Sequence, residues 1–255
     1  MQTVLYDSSF EGFFTAVFEI YEYKIKDPDI QQQGAAPVSL FGVQHTVHTD
    51  TAKATRVVKK LEEKLSADVF ANIYRVLLSE QPGMENVLFR YIQYALQSGQ
   101  SIETDYSHPD VLWIQQVVRK MGREKHRMEA FIRFLKTKDG LFYATVEPDF
   151  NVLPLIRKHF EDRYADQRWL IYDTQRKYGL YYDLHSVTEV TIDFAATLND
   201  KASLRTLHDE QEDLYQSLWR IYFGSTNIQA RRNMKLHIQH MPRRYWKYLT
   251  EKLPE

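Results

Sequence analysis

The hydrophobic period of this sequence changes twice, and that constrains the fold more than any single motif. From Phe10 onward, apolar residues recur at three- and four-residue spacing, as on a helix face. Past residue 130 come short runs rich in Phe, Ile, Leu and Tyr, separated by turn residues. Beyond residue 208 the helical spacing returns. Helices, then paired strands interrupted by a helix, then helices again define the α+β class.

In the first block Phe10, Phe13, Phe14, Val17, Phe18 and Tyr21 form one stripe, opened by a capping box of Ser8 and Glu11. A spaced aromatic face of this kind packs into a core more often than it lines a cofactor site. Residues 28 to 37, with Pro28, Gly34 and Pro37, read as a loop, and 38 to 47 as a short extended segment. The spacing predicts helices over 50 to 65, 67 to 79 and 83 to 97, the last stopped by Gly99. Another begins near Ser107.

The middle of the chain predicts a hairpin over 130 to 146, turning at Lys138-Asp139-Gly140, and a helix over 151 to 164. A second hairpin follows over 169 to 184, then a strand over 187 to 194. The expected sheet is antiparallel: two hairpins flanking a helix, plus a further strand. Helices are predicted over 208 to 222 and 227 to 240, with a short one opened by Pro242. Without internal repeats, one compact unit is expected, made of a mainly helical subdomain (1 to 106) and an α+β subdomain with basic C-terminal helices (107 to 255).

The chain contains no cysteine, which excludes a thiolate nucleophile, a Cys-ligated zinc, an iron–sulfur cluster and a disulfide scaffold. Its formal net charge of −1 conceals a mosaic. Residues 1 to 110 balance at −6, 111 to 140 at +5, 141 to 214 at −6 and 215 to 255 at +6. Local field rather than total charge decides which partners such a chain attracts.

The first basic segment lies on the helix of residues 110 to 128. Ile114, Val117, Val118 and Met121 form its apolar stripe, with Arg119, Arg123, His126 and Arg127 on a neighbouring face and Arg133 beyond. Such a front is either a cradle for phosphates or a solvated face whose arginines pair with the acidic blocks. In the second segment Arg231, Arg232, Arg243 and Arg244 are interleaved with Tyr245 and Trp246. Guanidinium groups supply phosphate contacts and aromatic faces stack on exposed bases. The same aromatics also suit anchoring of a terminal helix, and the same charges an acidic protein partner.

For catalysis, Glu147, Asp149 and Asp173 stand at strand ends, where three carboxylates beside a basic groove would hold a divalent ion for phosphodiester hydrolysis. Their spacing matches no nuclease motif, and carboxylates at hairpin ends more often close turns or pair with arginine. His45 and His48 near Asp50 lack a third ligand, so no metal site and no cofactor are expected. Phosphate-cradling glycine loops, His-Glu-x-x-His and a nucleophile elbow are all missing from the sequence.

The segments at 4 to 22, 122 to 134 (GREKHRMEAFIRF), 169 to 183 (WLIYDTQRKYGLYYD) and 227 to 246 together resemble the bacterial "probable DNA metabolism protein" family, in order over nearly the whole chain. Ser8 stands where that family is expected to have Gly, a departure at a turn. Members are typically encoded beside a radical-SAM protein thought to act in DNA modification or repair, and a related domain occurs fused to a uracil-DNA-glycosylase-type domain. The resemblance implies a role in DNA metabolism beside one of those enzymes, and carries over no catalytic residues. Lacking cysteine, this chain cannot hold a radical-SAM cluster, so that chemistry would belong to the partner.

The expectation is therefore a nucleic-acid-binding accessory protein acting on DNA or RNA. The alternatives are a metal-dependent enzyme acting on DNA and a protein-docking module without nucleic-acid contact. No stretch reads as a signal or membrane span, the early apolar run being cut by Glu11, Glu19 and Glu22; a cytoplasmic location is expected.

Overall fold

The computed structural model describes residues 2–34, 43–98, 102, 104–191, 209, 211–226 and 233–252. The class is α+β, and the chain divides into two compact units, Met1–Met121 and Gly122–Glu255. They part inside a helix, later than the 106/107 boundary expected from the sequence.

In the first unit β1 (Gln2–Tyr6) lies between β2 (Pro28–Gln32) and β3 (Gln44–Thr46), parallel to both. β1 is not anticipated by the sequence reading and β2 occupies part of the stretch read as loop, while β3 falls in the stretch read as extended. Of the residues of β2 only Ile30 is buried, so PDIQQ carries none of the alternation by which a strand is recognised. α1 (Phe10–Glu22) follows β1, its N-cap being Ser9, whose side chain accepts from Gly12 N–H. Ser8 lies outside the helix with φ of 67°, left-handed backbone that favours glycine. Phe13, Phe14 and Val17 are buried, with Tyr6 against Phe13 at 6.0 Å, so the aromatic stripe is core.

α2 (Thr51–Glu62), α3 (Ala67–Leu78) and α4 (Met84–Gln97) match the predicted helices closely. Asp50 caps α2 by accepting from Ala52 and Lys53 N–H, and Ser66 caps α3. α5 (Pro109–Phe131) is the long basic helix, tied at its start by an Arg90–Asp110 ion pair of 2.6 Å.

The second unit is built on a five-stranded sheet ordered β4 (Leu135–Lys136), β5 (Phe142–Val146), β6 (Trp169–Asp173), β7 (Tyr178–Tyr182), β8 (Val187–Val190). Both expected hairpins and the further strand are present, but the sheet is mixed. α6 (Leu153–Arg163) carries the chain from β5 to β6 as a crossover, which makes that pair parallel, with Phe142 opposite Trp169. The first hairpin is also shorter than expected, because α5 runs on to Phe131 and leaves only Leu135 and Lys136 for β4. Every residue of β6 is buried, so this central strand is covered on both faces. Trp169, Phe160 and Phe134 pack as an aromatic cluster with centroids about 6 Å apart.

α7 (Glu212–Thr226), α8 (Met234–His240) and two 3-10 turns, Arg243–Tyr248 and Thr250–Lys252, complete the unit. The segment opened by Pro242 is thus 3-10 rather than α-helical. The helix expected over 227 to 240 falls partly outside the described residues.

Candidate nucleic-acid interface

The apolar side of α5 is Val111, Ile114, Val117, Met121 and Met128, all buried, and helical spacing puts Glu124 on that same side. A carboxylate there needs partners, because a buried charge without them is costly. Glu124 is 1% exposed and has four. It accepts Asp149 N–H at 2.9 Å, the Tyr245 hydroxyl, and Arg244 at 2.9 Å, and faces Arg127 at 3.5 Å. The two basic segments of the second unit therefore meet on one buried acid.

The surrounding residues fix that junction. Arg244 also binds Asp149 at 2.7 Å and lies 4.5 Å over the Tyr245 ring. Tyr245 is buried against Phe131, centroids 5.7 Å apart, and burial followed by the neighbouring Glu124 pushes its phenol well above the usual range. Lys247 pairs with Glu147, which also accepts the Tyr248 hydroxyl at 2.8 Å; these bonds hold Glu147 below the usual carboxylate range. Arg133 donates to the carbonyls of Ala130 and Ile132 at the end of α5 and pairs with Glu251 at 3.0 Å. Burial alone would raise the Glu251 pKa, but its own backbone N–H, Trp219 and Arg133 outweigh it and lower it.

The sequence candidates divide accordingly. Arg123, His126 and Arg243 are exposed and form no salt bridge among the described residues. Arg119 is exposed too, on the part of α5 that belongs to the first unit. Arg127, Arg133 and Arg244 carry carboxylate partners. Trp246 is half-buried, its indole N–H donating to Met241 O at 3.1 Å, with Arg243 and Lys252 beside its ring. Tyr245 is turned inward and anchors the segment instead of presenting a stacking face. Arg231 and Arg232 lie outside the described residues.

The junction is nevertheless cationic. Arg123, Arg127, Arg243 and Arg244 stand against Glu124 and Asp149, an excess of two positive charges. Sequence reasoning missed Glu124, yet a signal was there: an acid three residues beyond Met121, where an apolar residue belongs.

The three carboxylates considered for catalysis are engaged elsewhere. Glu147 and Asp149 hold the C-terminal 3-10 turn through Lys247, Tyr248 and Arg244. Asp173, fully buried, accepts from Gln175 and Arg176 N–H and pairs with the Arg176 guanidinium at 2.9 Å, closing the β6–β7 turn. Arg176 also reaches the carbonyl of Pro148 at 3.1 Å. His45 lies in hydrogen-bond contact with Glu19 at 2.7 Å, and Glu19 also pairs with Lys53 at 2.8 Å. Among the described residues no group of three or more His, Asp or Glu is placed to hold a metal ion.

The family model described as a domain of unknown function, DUF4130, matches residues 82–251, which takes in α4, α5 and nearly all of the second unit. A comparison with curated proteins finds no match.

Proposed function

The chain belongs to the DUF4130 family, and we propose that it is a nucleic-acid-binding accessory protein of DNA metabolism or repair. One observation carries this reading: Glu124 gathers both basic segments of the second unit at one place and leaves Arg123, His126 and Arg243 exposed there without carboxylate partners among the described residues. An excess of guanidinium groups on a rigid helix and turn suits phosphate oxygens, and Trp246 supplies an aromatic face close by. The DNA context and the partner, a radical-SAM protein or a uracil-DNA-glycosylase-type enzyme, rest on the family resemblance of the sequence. Among the described residues no helix is long and apolar enough to cross a membrane.

Fluorescence anisotropy with labelled duplex and single-stranded DNA and RNA at low salt tests the reading. Binding that weakens steeply as salt rises supports it, because each neutralised phosphate releases counterions. No binding to any of the four probes overturns it.

One observation favours a protein-docking role. On α7, Leu214, Leu218 and Ile221 recur at helical spacing and are all exposed. That reading requires capture of the partner enzyme to survive nuclease treatment and to be lost in Leu218→Glu.

A further inference from the structure

Beside the end of α5 the second unit holds a cavity of about 670 Å³, within the size range that encloses a small organic ligand. Its walls include Phe134, Tyr164, Trp169 and Trp219, with Arg133 and Arg163 among them. The Arg133 guanidinium lies 5.3 Å from the Trp219 ring and that of Arg163 lies 5.8 Å from the Tyr164 ring, so flat apolar faces and cations alternate. The carboxylates along the wall are engaged: Glu129 with Lys125, and Glu212 with the backbone N–H of Lys136.

Aromatic faces beside guanidinium groups describe a ligand that is flat and anionic at one end, and a nucleotide has both properties.

The cavity also lies where the cationic face of α5 leads. Arg123, Arg127 and Ala130 follow one another at i, i+4 and i+7, hence on one face, and Ala130 lines the cavity. Seven residues of helix advance the face by about 10 Å.

We propose that this cavity takes one unstacked nucleobase from a strand whose phosphates lie along α5, a step that rests on the nucleic-acid reading of the same unit. The aromatic walls hold the base, and Arg163 meets the adjoining phosphate.

The test compares a short duplex carrying one unpaired 2-aminopurine with the same duplex fully paired. Two variants accompany the wild type: Trp219→Ala removes a wall, and Ala130→Trp, at an exposed helix position, blocks the cavity from its rim. The wild type is expected to prefer the unpaired base by roughly tenfold, with a change in 2-aminopurine emission on binding. Both variants are expected to bring the two affinities within about twofold of each other while binding the paired duplex as before. Equal wild-type affinity for the two duplexes, or a preference that survives in Ala130→Trp, overturns the cavity proposal alone. Failure to bind either duplex at low salt removes the nucleic-acid reading and this proposal with it.

Discussion

Arg244 donates a hydrogen bond of 2.9 Å to Glu124, 120 positions earlier, and so joins the C-terminal 3-10 turn to the middle of α5. Glu124 lies in the buried row of that helix and is matched by one backbone N–H, one hydroxyl and two guanidinium groups. Hence a net cationic junction is built around an acid.

Removing that acid loosens the C-terminal segment. Glu124→Ala is expected to destabilise the second unit by about 1–3 kcal/mol, since Arg244 keeps Asp149 and some solvent contact while Tyr245 loses its acceptor. Tyr245→Phe, which leaves the ring packed on Phe131, should cost about 1 kcal/mol. Urea denaturation followed by tryptophan fluorescence measures both; an unchanged midpoint for Glu124→Ala contradicts this role.

The carboxylates of the same segment set an acid limit. Glu251 and Glu147 have folded-state pKa values below the ordinary 4.5, so each contributes stability that is present above 4.5 and is lost as pH falls through its lower folded value. Thermal midpoints taken from neutral pH down to about 3 should fall in the acid range for the wild type. Glu251→Gln should start lower at neutral pH and show a shallower decline; an acid limb as steep as the wild type's would show that Glu251 is not responsible.

In the first unit the backbone conformation of Ser8 gives a gain. Its φ of 67° strains any residue with a Cβ, so Ser8→Gly is expected to stabilise the unit by about 0.5–1 kcal/mol. Glycine is also what the family resemblance expects there. Gly12→Ala should act oppositely, because a Cβ would come within 2.1 Å of Asp7 Oδ1. Chemical denaturation of the two variants decides; a destabilised Ser8→Gly would mean that its bond to Gln32 outweighs the strain.

These elements show what the sequence made legible. α2 and α3 were readable because Asp50 and Ser66 cap them and their apolar spacing is regular, information contained within a dozen residues. β1 and β2 pair only with strands distant in the chain, and β2 buries only Ile30, so no local alternation marked them, whereas β3 falls in the stretch read as extended. The parallel pairing of β5 with β6 was hidden for a related reason: two hairpins are local events, but the hand-over between them depends on where α6 packs. At the site the exposed arginines were visible as a charge run. Their organiser, Glu124, was not, because one of three acids among eight bases in residues 111 to 140 reads as surface until its burial is known.

The salt dependence of nucleic-acid binding by Arg123→Ala/Arg243→Ala tests the central claim most directly. Lys59→Ala, which removes an exposed charge from α2 in the first unit, serves as the control. If these arginines contact phosphates, the double variant binds more weakly at every salt concentration, and its slope of log K against log salt is shallower by roughly one to two, while the control follows the wild type. A double variant with the wild-type affinity and slope would contradict the account.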